Sequence, residues 1–115
     1  GDLTAMTLGA PFKRADPNGA YLYTAITAFN VTPMPLTALM ARDAFVPADR
    51  LRPFPVPVMM IASDLDATFP LALLQATARL IDAEIETVVG SGHSTYFEKP
   101  VEFNSLVRAF LARQR

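Results

Sequence analysis

His93 is the only histidine of the chain, and imidazole is the side chain whose ordinary pKa suits proton transfer near neutral pH. It stands in Gly90-Ser91-Gly92-His93, with Glu98-Lys99-Pro100 beginning five residues later. The glycines permit backbone angles that would place an imidazole at the lip of a sheet. Two carboxylates, Asp64 and Asp66, share a second short loop from Ser63 to Pro70. A carboxylate bonded to one ring nitrogen fixes the tautomer of an imidazole and stabilises its cation. Such a base needs a nucleophile to act on, and the sequence has no Gly-x-Ser-x-Gly turn to supply one. Ser91 and Ser94 flank the histidine, but neither sits on the strained strand-to-helix turn that presents a nucleophilic oxygen. The residues read as part of a catalytic site rather than a whole one.

Two separate loops meet only if strands deliver them to one edge. Val58-Met59-Met60-Ile61-Ala62 is a continuous apolar run bounded by Pro57 and Ser63-Asp64, the pattern of a strand covered on both faces. Leu71 to Ile81 predicts a helix with Leu71, Leu74, Ala78 and Ile81 on one face, and Ile85 to Val89 predicts a second strand. Strand, helix, strand at this spacing predicts a right-handed crossover between parallel strands. The loops after their carboxyl ends then lie side by side, where α/β sheets gather functional groups. A last helix carries Phe103, Leu106, Val107 and Phe110 on one face, with Pro100 near its first turn. Arg108, Arg113 and Arg115 lie toward its end, where cations complement the helix dipole. Glu98 reads as a carboxylate at that helix's positive end, and Asp64 as a cap for local turn amides.

The first half has a different texture. Residues 1–57 hold eight of the ten prolines and no convincing strand. Gly9 to Gly19 reads as loop, from Pro11, Asp16-Pro17 and Asn18-Gly19. Ala20 to Asn30 reads as helix, with Leu22, Ile26 and Phe29 recurring at helical spacing. A further short helix starts at Thr32, with Pro33 and Pro35 tolerated in its first turn and Leu36, Leu39 and Met40 as its apolar face. Pro47, Pro53, Pro55 and Pro57 mark an exposed connector. Tyr21, Tyr23, Phe29, Met34 and Met40 either line a hydrophobic pocket or form plain core. The organisation is a helical segment with connector over residues 1–55 and a strand–helix–strand–helix unit over residues 56–115. The fold class is α/β.

Composition narrows the partners. The 115 residues are 51% hydrophobic and 18% charged, below the ~25% charge usual for soluble domains, so some apolar surface is expected to be covered by another piece of protein. Ten basic and eleven acidic residues give a net charge of −1, which lacks the basic stripe of a nucleic-acid binder. Without cysteine and with one histidine, sulfur-ligated and multi-histidine metal sites are excluded, and no cofactor is implied. No apolar run nears the roughly 18 residues of a membrane span. Gly1-Asp2-Leu3-Thr4 lacks the layout of a secretory signal, so a cytoplasmic location is the expectation.

Residues 56–113 resemble the C-terminal end of the α/β-hydrolase fold. The resemblance is carried by Pro57 to Asp66 with Phe69-Pro70, and by Gly90-Ser91-Gly92-His93 with Glu98-Lys99-Pro100 and Glu102-Phe103-Asn104. That family commonly shows an apolar strand, a small turn residue, an acid and a proline, then Gly-x-Gly-His and Glu-x-Pro. Position by position, the resemblance makes Asp66 the triad acid and His93 the triad base. Ser63 stands where the family usually has glycine, and Ala67 where it often has proline; neither change touches the chemistry. Some enzymes of the fold carry the acid on an earlier strand. Residues 1–55 would correspond to the end of the helical cap, by position and composition. The resemblance implies a hydrolase of esters, lactones, thioesters or carbon–carbon bonds, acting on a small molecule. Its nucleophile would lie outside this chain, on an N-terminal part of the same hydrolase. An aspartate nucleophile would instead give an epoxide or haloalkane hydrolase, and a lost nucleophile would leave a non-catalytic binding or interaction module. Phe69, Tyr96 and Phe29 are the candidate substrate-binding residues.

Overall fold

The computed structural model describes residues 3–29, 46–51 and 55–114. The helix expected from Thr32, with Leu36, Leu39 and Met40, and the pocket candidate Met34 lie outside those residues. The described chain runs α1 (Leu3–Thr7), α2 (Ala10–Ala15), α3 (Pro17–Thr27), a 3₁₀ turn (Ala48–Leu51), β1 (Met59–Ser63), α4 (Leu71–Ile81), β2 (Glu84–Val88), α5 (Thr95–Glu98) and α6 (Pro100–Ala112). Among the described residues, no helix is long and apolar enough to cross a membrane.

β1 and β2 pair in parallel, with Met59 opposite Glu84 and Ser63 opposite Val88. The fold is therefore α/β, with α4 as the crossover that packs on both strands. Each strand is displaced by one residue from its expected span, because the Glu84 amide donates to Val58 O (2.9 Å) and sets where the ladder starts. The buried apolar side chains of α4 and the strands are small or branched: Ala62 and Ala78 are 1% exposed and Val88 is fully buried. α4 stops at Asp82, which takes a left-handed conformation (φ 56°). The amides of Asp82 and Ala83 both reach Ala78 O, closing the last turn as in a Schellman cap. Phe103, Leu106, Val107 and Phe110 form the half-buried face of α6, as their spacing predicts. Arg113, just past its end, pairs with Glu84 on β2.

The expectation of loop over Gly9 to Gly19 is overturned. α2 occupies most of that stretch, and α3 begins at Pro17, three residues before the expected start. Pro11 and Pro17 each sit in a first turn, where a missing N–H costs nothing. Asp16 caps α3 by accepting from the Gly19 amide at 2.8 Å. The turn signals were helix-start signals. The inward face of α3 also differs: Leu22, Ile26 and Phe29 point outward at 52%, 53% and 82% exposure, while Tyr23 is buried. Tyr23 wins because the interior offers partners for both its ends. Its ring meets Phe97 edge-on at 5.1 Å, and its hydroxyl bonds Ser94 Oγ at 2.8 Å.

Candidate active site

The end of β1 turns into the Ser63–Pro70 loop, and the end of β2 turns through Gly90 (φ 75°) toward His93. Parallel pairing places both turns at one edge, and backbone bonds lace them together. The Leu65 amide donates to Ser91 O (3.1 Å), and the Gly90 amide donates to the Asp64 carboxylate (2.7 Å). Asp64 thus ties one loop to the other, where a cap for its own turn was expected.

The local turn is held by Asp66. Its Oδ1 accepts from the amides of Thr68 (2.7 Å) and Phe69 (2.9 Å), and its Oδ2 faces His93 Nδ1 at 2.9 Å. The Asp66 side chain is 5% exposed and that of His93 36% exposed. Burial pushes the Asp66 carboxyl up, but the Phe69 amide, the His93 ring and the Thr68 amide together outweigh it and hold the group below its ordinary 3.8. Facing an ionised Asp66, Nδ1 is the donor of this bond, so in the neutral ring the lone pair is on Nε2. One edge of the ring is thus held by the buried Asp66 carboxylate, while the side chain as a whole is partly exposed.

Of the three candidate substrate residues, Phe69 makes ring contact with the imidazole, with centroids 5.4 Å apart and planes tilted by 52°. Tyr96 packs edge-on against Phe103 at 6.3 Å. Burial and the nearby Tyr23 phenol push its hydroxyl above the ordinary value of 10. Phe29 stands in solvent beyond the end of α3. The structure thus places one of the three against the Asp66–His93 pair.

Ser91 and Ser94 are both internal. Ser91 is fully buried, with Oγ directed to Gly92 O and Thr95 Oγ1. Ser94 is 1% exposed, bonded through its amide to Thr7 O and through its hydroxyl to Tyr23. Their oxygens hold the loop around His93 in shape. Ser63, at the end of β1, bonds Thr95 Oγ1, so a hydroxyl takes the place usually left to glycine and links the strand to the base loop.

Glu98 is the site's main departure from expectation. It is 7% exposed and accepts from the amides of Gly9 and Gly92, so it bridges two loops and does not serve the end of α6. Its proximity to Pro100 suggested a helix-end role. The partner 89 positions away in sequence left no local signal. Tyr23 and Gly9 were missed as supports of the site for the same reason, as was the link from Thr95 to Ser63.

The family model described as "Alpha/beta hydrolase family" matches residues 3–106. A search of curated proteins and a search of solved structures each returned no match. The family match takes in the helical first half as well as the two loop-bearing strands, so the resemblance first carried by residues 56–113 extends across most of the chain. With its parallel strand pair and post-strand loops, the structure is a partial α/β-hydrolase fold, and the chain belongs to the alpha/beta hydrolase family.

Proposed function

We propose that this chain supplies the acid and the base of a hydrolase triad, with Asp66 as the acid and His93 as the base. The observation that carries this reading is the 2.9 Å contact between His93 Nδ1 and Asp66 Oδ2, made between loops that follow adjacent parallel strands. Asp66 holds the ring with Nδ1–H toward the carboxylate. Nε2 takes the proton of an attacking hydroxyl, the imidazolium is stabilised by Asp66, and the proton passes on to the leaving group. Phe69 forms an apolar wall beside the ring. Esters, lactones, thioesters and activated carbon–carbon bonds are the substrate classes this chemistry serves.

The nucleophile belongs to a further part of the same hydrolase. Among the described residues the sheet has two strands, whose outer edges further strands would pair. Leu65, Leu73 and Val89 are exposed apolar side chains beside it that a larger sheet and its helices would cover. With a serine on that part, the enzyme is a serine hydrolase; with an aspartate, it opens epoxides or displaces halide from haloalkanes.

The test is to weigh the native species that contains this sequence and treat it with a fluorophosphonate. Label on a serine outside residues 1–115, lost in His93→Ala, is the expected result. An unlabelled species that hydrolyses an epoxide or haloalkane probe would move the nucleophile to aspartate. A species inert to all three probes would show a non-catalytic module that keeps an idle Asp66–His93 pair.

A further inference from the structure

We infer that Glu98 is a positioning residue for His93, an inference that rests on the triad reading above. Its carboxylate is 7% exposed and sits between two loops distant in sequence. The Gly92 amide lies 3.0 and 3.1 Å from its two oxygens, and the Gly9 amide 3.2 and 3.1 Å. Both N–H groups are thus shared between the two oxygens of one carboxylate, which holds the two loops together.

The geometry concerns the residues on either side of the base. Gly92 precedes His93 and is fixed by Glu98. Ser94 follows it and is fixed by its amide to Thr7 O at 2.9 Å. The backbone on each side of His93 is therefore tied to the Thr7–Gly9 segment at the end of α1, while the imidazole itself is left to meet Asp66. The same α1 end holds the acid loop, since Thr68 Oγ1 donates to Met6 O at 3.0 Å. Met6 to Gly9 is a common footing for both halves of the pair.

This footing requires glycine at both contact points. A Cβ on Gly92 would lie 2.4 Å from Gly9 N, and one on Gly9 would lie 2.9 Å from Glu98 Oε2. It also requires a carboxylate. Glutamine has the same shape but turns an NH₂ toward N–H groups that need acceptors, so it can satisfy the pair with one oxygen only. Glu98→Gln therefore loosens the clamp without opening a cavity.

The measurement is the downfield imidazole proton of His93 in the intact protein carrying this chain, seen by proton NMR. It is assigned by its loss in His93→Gln and Asp66→Asn. In Glu98→Gln the Nδ1 proton should exchange with water about tenfold faster or broaden away, the scale of one weakened bond to a charged group. Glu98→Asp, which keeps the charge on a shorter stem, should restore part of the signal. Gly92→Ala, which pushes the loops apart with Glu98 intact, should reproduce the loss and serves if Glu98→Gln does not fold. A Glu98→Gln protein that melts lower but keeps the proton's position and exchange rate would make Glu98 a structural residue only. Absence of the proton in the unsubstituted protein would remove the Asp66–His93 pair itself, and this inference with it.

Discussion

At the scale of single residues, the site rests on one carboxylate that serves two masters. Asp66 Oδ1 is spent on the amides of its own turn and Oδ2 on the imidazole. Asp66→Asn keeps the shape but can present its NH₂ to Nδ1, which favours the wrong tautomer. Under the triad proposal it should lower kcat on an activated ester by about 10⁴-fold, read by steady-state kinetics on the native species that contains this chain. The same carboxylate gives an acid dependence. Because its pKa is lowered from 3.8, the folded chain holds fewer protons there than the unfolded chain in the interval between the two values. The stability Asp66 contributes is therefore complete above about pH 4 and lost as pH falls through the lowered value. The difference in melting temperature between parent and Asp66→Asn should shrink across that acid interval, and a difference constant with pH would refute the linkage. His93 and Asp66 were legible because each sits in a short motif next to a strand. Glu98, Tyr23 and Ser94 were not, because their partners arrive from helices whose placement no local spacing encodes.

At the scale of elements, periodicity located the helices better than it oriented them. Leu71 to Ile81 emerged with its expected bounds, and its narrow Ala78 contact lets it lie close to the strands. α3 was misoriented because two neighbouring stripes both carry large apolar side chains, and only tertiary partners choose Tyr23 over Leu22 and Ile26. α2 was missed because proline and Asp-Pro signal a turn and a helix start equally well. The two ends of the crossover make separate predictions. Asp82 closes α4 in a left-handed conformation that glycine adopts without a Cβ penalty. Asp82→Gly should therefore stabilise the fold by about 0.5 kcal/mol, the conformational relief being partly offset by the extra freedom of the unfolded chain. At the end of β2, Val88 is fully buried and Val89 is 70% exposed. Val88→Ala should cost about 1–3 kcal/mol and Val89→Ala less than about 0.5 kcal/mol. Urea midpoints of the three variants test both ends, and equal losses at Val88 and Val89 would contradict the observed facing of β2.

At the scale of the whole molecule, the helical first half and the loop-bearing second half are joined through the site. Thr7 and Tyr23 bond Ser94 beside His93, Gly9 bonds Glu98, Phe12 and Tyr23 both meet Phe97, and Met6 accepts from Thr68 beside Asp66. Displacing the helices would therefore displace His93. The outer surface does not match this internal order. Val101 is 85% exposed, Val89 70%, Leu111 57% and Leu73 53%, around a sheet of two strands. Side chains of this size each release about 1.5–3 kcal/mol when fully buried, so even partial covering of the four would add several kcal/mol. That gain is comparable with the whole stability of a small domain. A chain of these 115 residues alone should then sediment with concentration-dependent association, bind a hydrophobic dye and melt over a broad range. Adding the proposed nucleophile-bearing part should replace this with one sharp species and a cooperative melt. Sedimentation velocity with parallel calorimetry makes the comparison. A clean monomer of the lone chain with a cooperative melt would show that its exposed apolar surface needs no cover, and would count against the shared-site reading.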